Sequence, residues 1–145
     1  MAHRRQNLTT VFVDSSVFFA AVCSPSGGSA KLFTLQNFHL QTSKIVLTEV
    51  ERNIRKKLET YHLDRFFLLT GKLEIINQEP DDELIAKVKN IIVEKDAVIL
   101  AEAKQSSAKI LVTLDQKHFF TPEAQKFFLP GKILTPGQLI QKLGG

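Results

Sequence analysis

The sequence predicts an α/β fold built on a parallel sheet, and three observations carry that expectation. Val11-Phe12-Val13 and Lys109-Ile110-Leu111-Val112-Thr113-Leu114 are runs of strand-favouring residues with little alternation of polarity, the pattern of central strands covered on both faces. Each run stops at a carboxylate, Asp14 or Asp115. Between successive strand candidates lie segments with helical spacing, about a dozen residues each, long enough for the right-handed crossovers that parallel neighbours require. Ligands of open α/β sheets bind beyond the carboxyl ends of the strands, where the strand order reverses, so both aspartates stand where chemistry is expected.

After Asp14, Val17–Val22 is apolar enough for a short helix against the sheet, and Ser24-Pro25-Ser26-Gly27-Gly28-Ser29 is a cluster of turn residues. Its glycines match neither the Walker spacing nor the dinucleotide fingerprint, so a plain turn is the stronger reading. Ser29 is expected to cap a helix running to about Asn37, with Leu32 and Leu35 inward and Lys31 outward. Lys44-Ile45-Val46-Leu47 reads as a second strand. Thr48-Glu49-Val50-Glu51 reads as a capping box opening a helix whose buried stripe is Val50, Ile54, Leu58 and Tyr61. At about 100° per residue, Glu49 and Glu51 diverge by roughly 200°, so at most one of them faces Asp14. Glu51 has the capping role, which leaves Glu49 for a site, with Asn53 and Lys56 on its side of the helix. Stabilisation of a helix N-terminus accounts for Glu49 about equally well.

Leu63–Leu69 continues as a helix that buries two aromatics and stops at Gly71, and Leu73–Ile76 reads as a third strand near an edge. Pro80-Asp81-Asp82-Glu83 opens a helix with the stripe Leu84, Val88, Ile91 and Ile92, its acids being caps rather than metal ligands. Lys95-Asp96 precedes the buried helix Ala97–Ala103, at whose mouth Asp96 is expected as an N-cap with an oxygen to spare for a cation. Ser106-Ser107 turns the chain into the strand that ends at Asp115. Gln116–Phe120 is a turn or short helix, and Thr121-Pro122-Glu123 is a capped helix start with proline at its first position. Lys132-Ile133-Leu134 is the last strand. Thr135-Pro136 starts a terminal helix with Leu139, Ile140 and Leu143 inside. No repeat, low-complexity tract or linker interrupts residues 1–145, so one domain is expected.

Composition narrows the function class. Nineteen Lys and Arg against fifteen Asp and Glu give a net charge of +4, which favours a polyanionic partner without demanding one. The 43% hydrophobic content suffices for a core without staples. A single cysteine, Cys23, excludes an intramolecular disulfide and a Cys-rich zinc site, and reads as a small apolar filler in a reducing compartment. The segment Met1–Thr10 is polar, and no run approaches the roughly eighteen apolar residues of a membrane span. A soluble, cytoplasmic protein with no membrane association is expected.

Asp14, Glu49, Asp96 and Asp115 each fall at the end of a strand or the start of a helix, and in a parallel sheet those ends share one edge. Carboxylates gathered there repel one another unless a divalent cation supplies the missing charge. Oxygen donors without cysteine or a histidine pair suit Mg²⁺ or Mn²⁺ better than Zn²⁺. Ser16 and Thr113, beside the two strand-end aspartates, can position a carboxylate or bind a metal-bound water.

Val-Phe-Val-Asp-Ser-Ser-Val at 11–17, Leu-Thr-Glu-Val at 47–50, Lys-Asp-Ala-Val-Ile-Leu-Ala at 95–101 and Val-Thr-Leu-Asp-Gln-Lys-His-Phe at 112–119, with Ile-Leu-Thr-Pro at 133–136, together resemble a PIN domain. The resemblance implies a three-layer α/β/α sandwich around a five-stranded parallel sheet. It also implies Mg²⁺ or Mn²⁺ dependence, endoribonuclease activity, frequent service as the toxin of a toxin-antitoxin pair, and a tendency to homodimers. By position, Asp14, Glu49, Asp96 and Asp115 match the acidic quartet, with Ser16 and Thr113 as supporting residues. The sequence departs from the fuller pattern just beyond Asp115, where Gln116, Lys117 and His118 stand in place of a further acid, which weakens the case for a second metal. Lys117 and His118 could contact phosphate instead, and a solvated turn explains them as well; His3, His39 and His62 have no evident ligand partner. Arg52, Lys56 and Lys117 are candidates for backbone phosphates, contacts that bind without specifying sequence. The competing function is a non-catalytic PIN-fold module that binds RNA or protein. A phosphatase or phospho-acceptor domain would need a second acid two residues after Asp14 or an acidic pair before it, and the sequence has neither.

Overall fold

A computed structural model describes residues 8–144, the side chains of 94, 95 and 143 excepted. The N-terminal segment with His3, the terminal Gly145 and the inward placement expected for Leu143 lie outside the described residues and side chains. Five strands form one sheet in the order β3-β2-β1-β4-β5, and every neighbouring pair is parallel. They are β1 (Thr9–Val13), β2 (Phe38–Ser43), β3 (Glu74–Ile76), β4 (Ile110–Val112) and β5 (Lys132–Leu134). The chain lays down β1, β2 and β3 in one direction, then returns past β1 to place β4 and β5. The strand order therefore reverses between β1 and β4, and the crevice that ligands of such sheets occupy opens at the carboxyl ends of those two strands.

Val11, Phe12 and Val13 are all wholly buried, and because successive side chains point to opposite faces, helices must cover both. Between β1 and β2 run α1 (Ser15–Cys23) and α2 (Gly28–Leu32); between β2 and β3 run α3 (Lys44–Lys57) and α4 (Tyr61–Thr70). Between β3 and β4 run α5 (Asp82–Val88) and α6 (Glu94–Gln105); α7 (Gln116–Phe119) and α8 (Pro122–Phe128) precede β5, and α9 (Pro136–Gly144) closes the chain. Phe18 stacks on Phe66 at 5.3 Å between ring centres, which joins α1 to α4 in the core.

Several expectations are corrected. The second strand is Phe38–Ser43, not Lys44–Leu47, which is the first turn of α3. Ser43 caps that helix by accepting the amide of Val46 at 3.2 Å, and Val46 is buried while Ile45 is exposed, a helical rather than alternating pattern. That strand carries little apolar signal in the sequence, because Gln41, Thr42 and Ser43 are polar yet buried. Thr42 satisfies its hydroxyl by donating to the Val13 carbonyl at 2.7 Å. No capping box forms at Thr48; Glu51 lies in the helix body and pairs with Arg55 at 2.9 Å, one turn on. The helix expected from Ser29 to Asn37 starts at Gly28 and ends at Leu32, with Ser29 inside it and buried. Tyr61 and Phe67 are exposed, so α4 buries one aromatic, Phe66, and not two. Cys23, at the end of α1, is exposed rather than a core filler. The caps expected at Asp81, Thr121 and Thr135 do form, each accepting a backbone amide two or three residues on at 2.8–3.1 Å.

Candidate metal centre

The amide of Asp14 donates to the Val112 carbonyl at 3.0 Å, continuing the β1–β4 ladder one residue past β1 and fixing Asp14 at the crevice. The residue is buried, and its Oδ2 accepts two hydroxyls, from Ser16 and from Thr113, each at 2.7 Å. Oδ1 has only a long contact from Ser15 at 3.4 Å, so it is the oxygen with lone pairs to spare. The two hydroxyls serve both sides of the crevice: Ser16 Oγ also accepts the Leu114 amide at 3.0 Å, and Thr113 Oγ1 the Asp115 amide at 3.0 Å. Residues 97 to 99 positions apart are thereby locked in register.

Asp115 caps α7, its Oδ1 accepting the His118 amide at 3.2 Å. Its Oδ2 meets His118 Nδ1 at 2.8 Å. From the other side comes Asp96, nearly buried, with Oδ2 at 3.6 Å from the same His118 Nδ1. Asp96 was expected as an N-cap, but Val93 takes that position and Asp96 is the third residue of α6. Its carboxylate is consequently directed by the first turn of the helix and not by capping geometry. Asp96, Asp115 and His118 each place one ligand-capable atom within 4.8 Å of the others. Two carboxylates and an imidazole, reaching one point from a crossover helix and from the turn after β4, form a donor set that a divalent cation accepts.

Glu49 stands apart from that group. It lies in the second turn of α3, half-buried, in a cleft of about 410 Å³ shared with Lys44, Thr48, Arg52 and Ile99. Ile99 follows Asp96 by three residues on α6 and therefore shares its face, so the cleft opens beside the Asp96 side of the crevice. Arg52 lines this cleft and Lys56 does not; Lys56 is exposed one turn further along α3. Lys117 is exposed in a shallow depression with Lys89, Val93 and His118, adjoining the triad. His118, expected either at a phosphate or in a solvated turn, stands instead against two carboxylates. The available signal was its spacing: a histidine three residues after a capping aspartate returns over that cap. Lys44 and Lys89 carried no such signal, since only the tertiary fold brings them to these clefts.

Among the described residues, Glu102 on α6 is buried, and burial pushes its carboxyl above the usual range, with a hydrogen bond from Ser43 acting in the opposite sense. Its partner Ser43 is the last residue of β2, and Glu102 is not part of the triad.

A family model described as PIN domain matches residues 11–121. No curated protein matches the chain. Among solved structures, a toxin-antitoxin complex from Klebsiella pneumoniae aligns with a TM-score of 0.64 at 20% identity, covering 87% of this chain and 97% of its own. PAE2754 from Pyrobaculum aerophilum aligns with a TM-score of 0.65 at 15% identity over 97% and 99% of the two chains. VapBC-1 from nontypeable Haemophilus influenzae gives 0.63 at 15% identity over 89% and 99%. At these identities the structural likeness speaks for the fold.

Proposed function

Because this chain belongs to the PIN-domain family, we propose that it is a metal-dependent endoribonuclease that hydrolyses RNA phosphodiester bonds, and the toxin of a toxin-antitoxin pair. The observation that carries this reading is the convergence of Asp96, Asp115 and His118 within 4.8 Å, beside a buried Asp14 whose Oδ2 is held by two hydroxyls. Asp14, Asp96 and Asp115 would hold Mg²⁺ or Mn²⁺, with His118 beside them, and Glu49 on the α3 wall would be a further ligand or orient the attacking water. When bound, such an ion supplies an activated water and neutralises charge on the scissile phosphate.

The chain's own residues do the remainder. Ser16 and Thr113 hold Asp14 by one oxygen, which leaves the other directed to the crevice. Arg52 and Lys117, on the two clefts flanking the crevice, and Lys56 beyond them take backbone phosphates, so affinity falls as salt rises. No helix among the described residues is long and apolar enough to cross a membrane. The likeness to a toxin-antitoxin complex and to VapBC-1 supports an antitoxin as protein partner; a homodimer in the cytoplasm completes the proposal.

The test is cleavage of structured and single-stranded RNA with Mn²⁺, with and without chelator, beside Asp14→Asn. Cleavage lost with chelator and in the variant supports the enzyme; equal residual cleavage in both proteins leaves a non-catalytic binding module. Light scattering reads the oligomeric state.

A further inference from the structure

A second concave site lies at the opposite end of the sheet. Lys109 precedes β4 and Lys132 opens β5, so this site is separated from the carboxyl-end crevice by the length of β4, roughly 10 Å. It is a cavity of about 660 Å³, a volume typical of small-ligand pockets. Four lysines line it, Lys104, Lys109, Lys132 and Lys142, and none of its lining residues is acidic. None of the four pairs with a carboxylate among the described residues. Lys132 and Lys142 approach each other closely enough that the proximity of Lys132 pulls the Lys142 ammonium below its ordinary range. Like charges facing each other across a cavity are relieved by an anion between them.

The remaining walls are apolar and closely built. Ile110, Phe128 and Pro130 form them, and Gly131 is required there, since a Cβ at that position would lie 2.5 Å from the Phe128 ring and 3.1 Å from the Lys109 carbonyl. Lys104 is fixed at the rim by donating to the Leu129 carbonyl at 2.6 Å. A cavity whose lining combines four lysines with Ile110 and Pro130 suits a ligand that carries several negative charges and an apolar ring. The cavity is concave and open on one side, so it admits a free molecule or the end of a chain.

We infer that this lysine-bordered cavity binds a phosphorylated nucleoside, either free or at the 5′ end of an RNA. The inference does not draw on the metal centre, so cleavage assays leave it untouched. Calorimetry of the full chain in EDTA, with ATP, tripolyphosphate, a short 5′-triphosphorylated RNA and its 5′-hydroxyl counterpart, tests it. One site per chain that discriminates for the phosphates is expected, with affinity reduced about tenfold or more in Lys132→Gln/Lys142→Gln. Binding of ATP identifies the free nucleotide; binding of the triphosphorylated RNA alone identifies the RNA end. Ligand binding also raises the Lys142 titration followed by NMR, a readout that needs no variant. Absence of saturable binding, equal binding by tripolyphosphate, or an undiminished affinity in the double variant overturns the inference.

Discussion

Thr113 Oγ1 donates to Asp14 Oδ2 at 2.7 Å and accepts the Asp115 amide at 3.0 Å, so one wholly buried hydroxyl ties together the ends of β1 and β4. Replacing it with the isosteric Thr113→Val leaves the buried Asp14 carboxylate short of one donor, a loss of about 1–3 kcal/mol. Urea denaturation is expected to show that destabilisation, and calorimetric Mn²⁺ titration a weakened site. Thr113→Ser keeps the hydroxyl and is expected to recover most of both. A Thr113→Val protein with wild-type stability and metal affinity would show that the hydroxyl does not position Asp14.

The two ends of that link were legible because their signal is local. An uninterrupted β-rich run that stops at a carboxylate describes a central parallel strand and the acid at its end in one short stretch, and this happened twice, at Val11–Asp14 and Lys109–Asp115. The edge strand Glu74–Ile76 and the caps at Asp81, Thr121 and Thr135 were readable for the same reason. Phe38–Ser43 was not, because its polar residues are buried against partners that only the folded sheet supplies: Thr42 needs the Val13 carbonyl, and Gln41 needs Glu74 at 3.4 Å. That misplacement carried Glu49 into the first turn of its helix, whereas it lies one turn further on. Asp96 and His118 were visible as residues but not as neighbours, since a crossover helix and a short helix after β4 meet only in three dimensions.

Glu102 gives the protein a pH-dependent stability. Burial raises its carboxyl in the folded state, so the native protein binds the proton more tightly than the unfolded chain does. Stability is then highest while Glu102 is protonated, and falls as pH rises from the ordinary glutamate value through the raised one. Glu102→Gln mimics the neutral acid and can keep the Ser43 contact. It is expected to flatten this part of the melting temperature against pH curve, and to be the more stable protein at pH 8. Parallel curves for the two proteins would remove Glu102 as the source.

Gly131 tests how tightly the β4–β5 end is built. A Cβ there would lie 2.5 Å and 2.8 Å from two Phe128 ring carbons and 3.1 Å from a backbone carbonyl that cannot turn aside. Gly131→Ala is expected to cost about 1–3 kcal/mol, as overpacking of a filled interior does. Combining it with Phe128→Leu, which clears the ring, is expected to recover part of that loss. Additive effects of the two changes in denaturant melts would place the strain elsewhere.

His118 is the residue by which this candidate metal centre departs from an all-carboxylate one. Its Nδ1 lies 2.8 Å from Asp115 Oδ2 and 3.6 Å from Asp96 Oδ2, close enough for the imidazole to share an ion with both. A nitrogen donor favours Mn²⁺ over Mg²⁺, because Mg²⁺ prefers oxygen in a strict octahedron and Mn²⁺ accepts imidazole more readily. Calorimetry is therefore expected to find tighter Mn²⁺ than Mg²⁺ binding in the wild type, and a narrowed preference in His118→Asp, which restores oxygen at that point. Electron paramagnetic resonance of bound Mn²⁺ supplies a readout independent of cleavage: nitrogen coupling is expected in the wild type and absent from His118→Asp. Mn²⁺ bound without nitrogen coupling would mean that His118 orients Asp115 through its hydrogen bond and does not touch the ion.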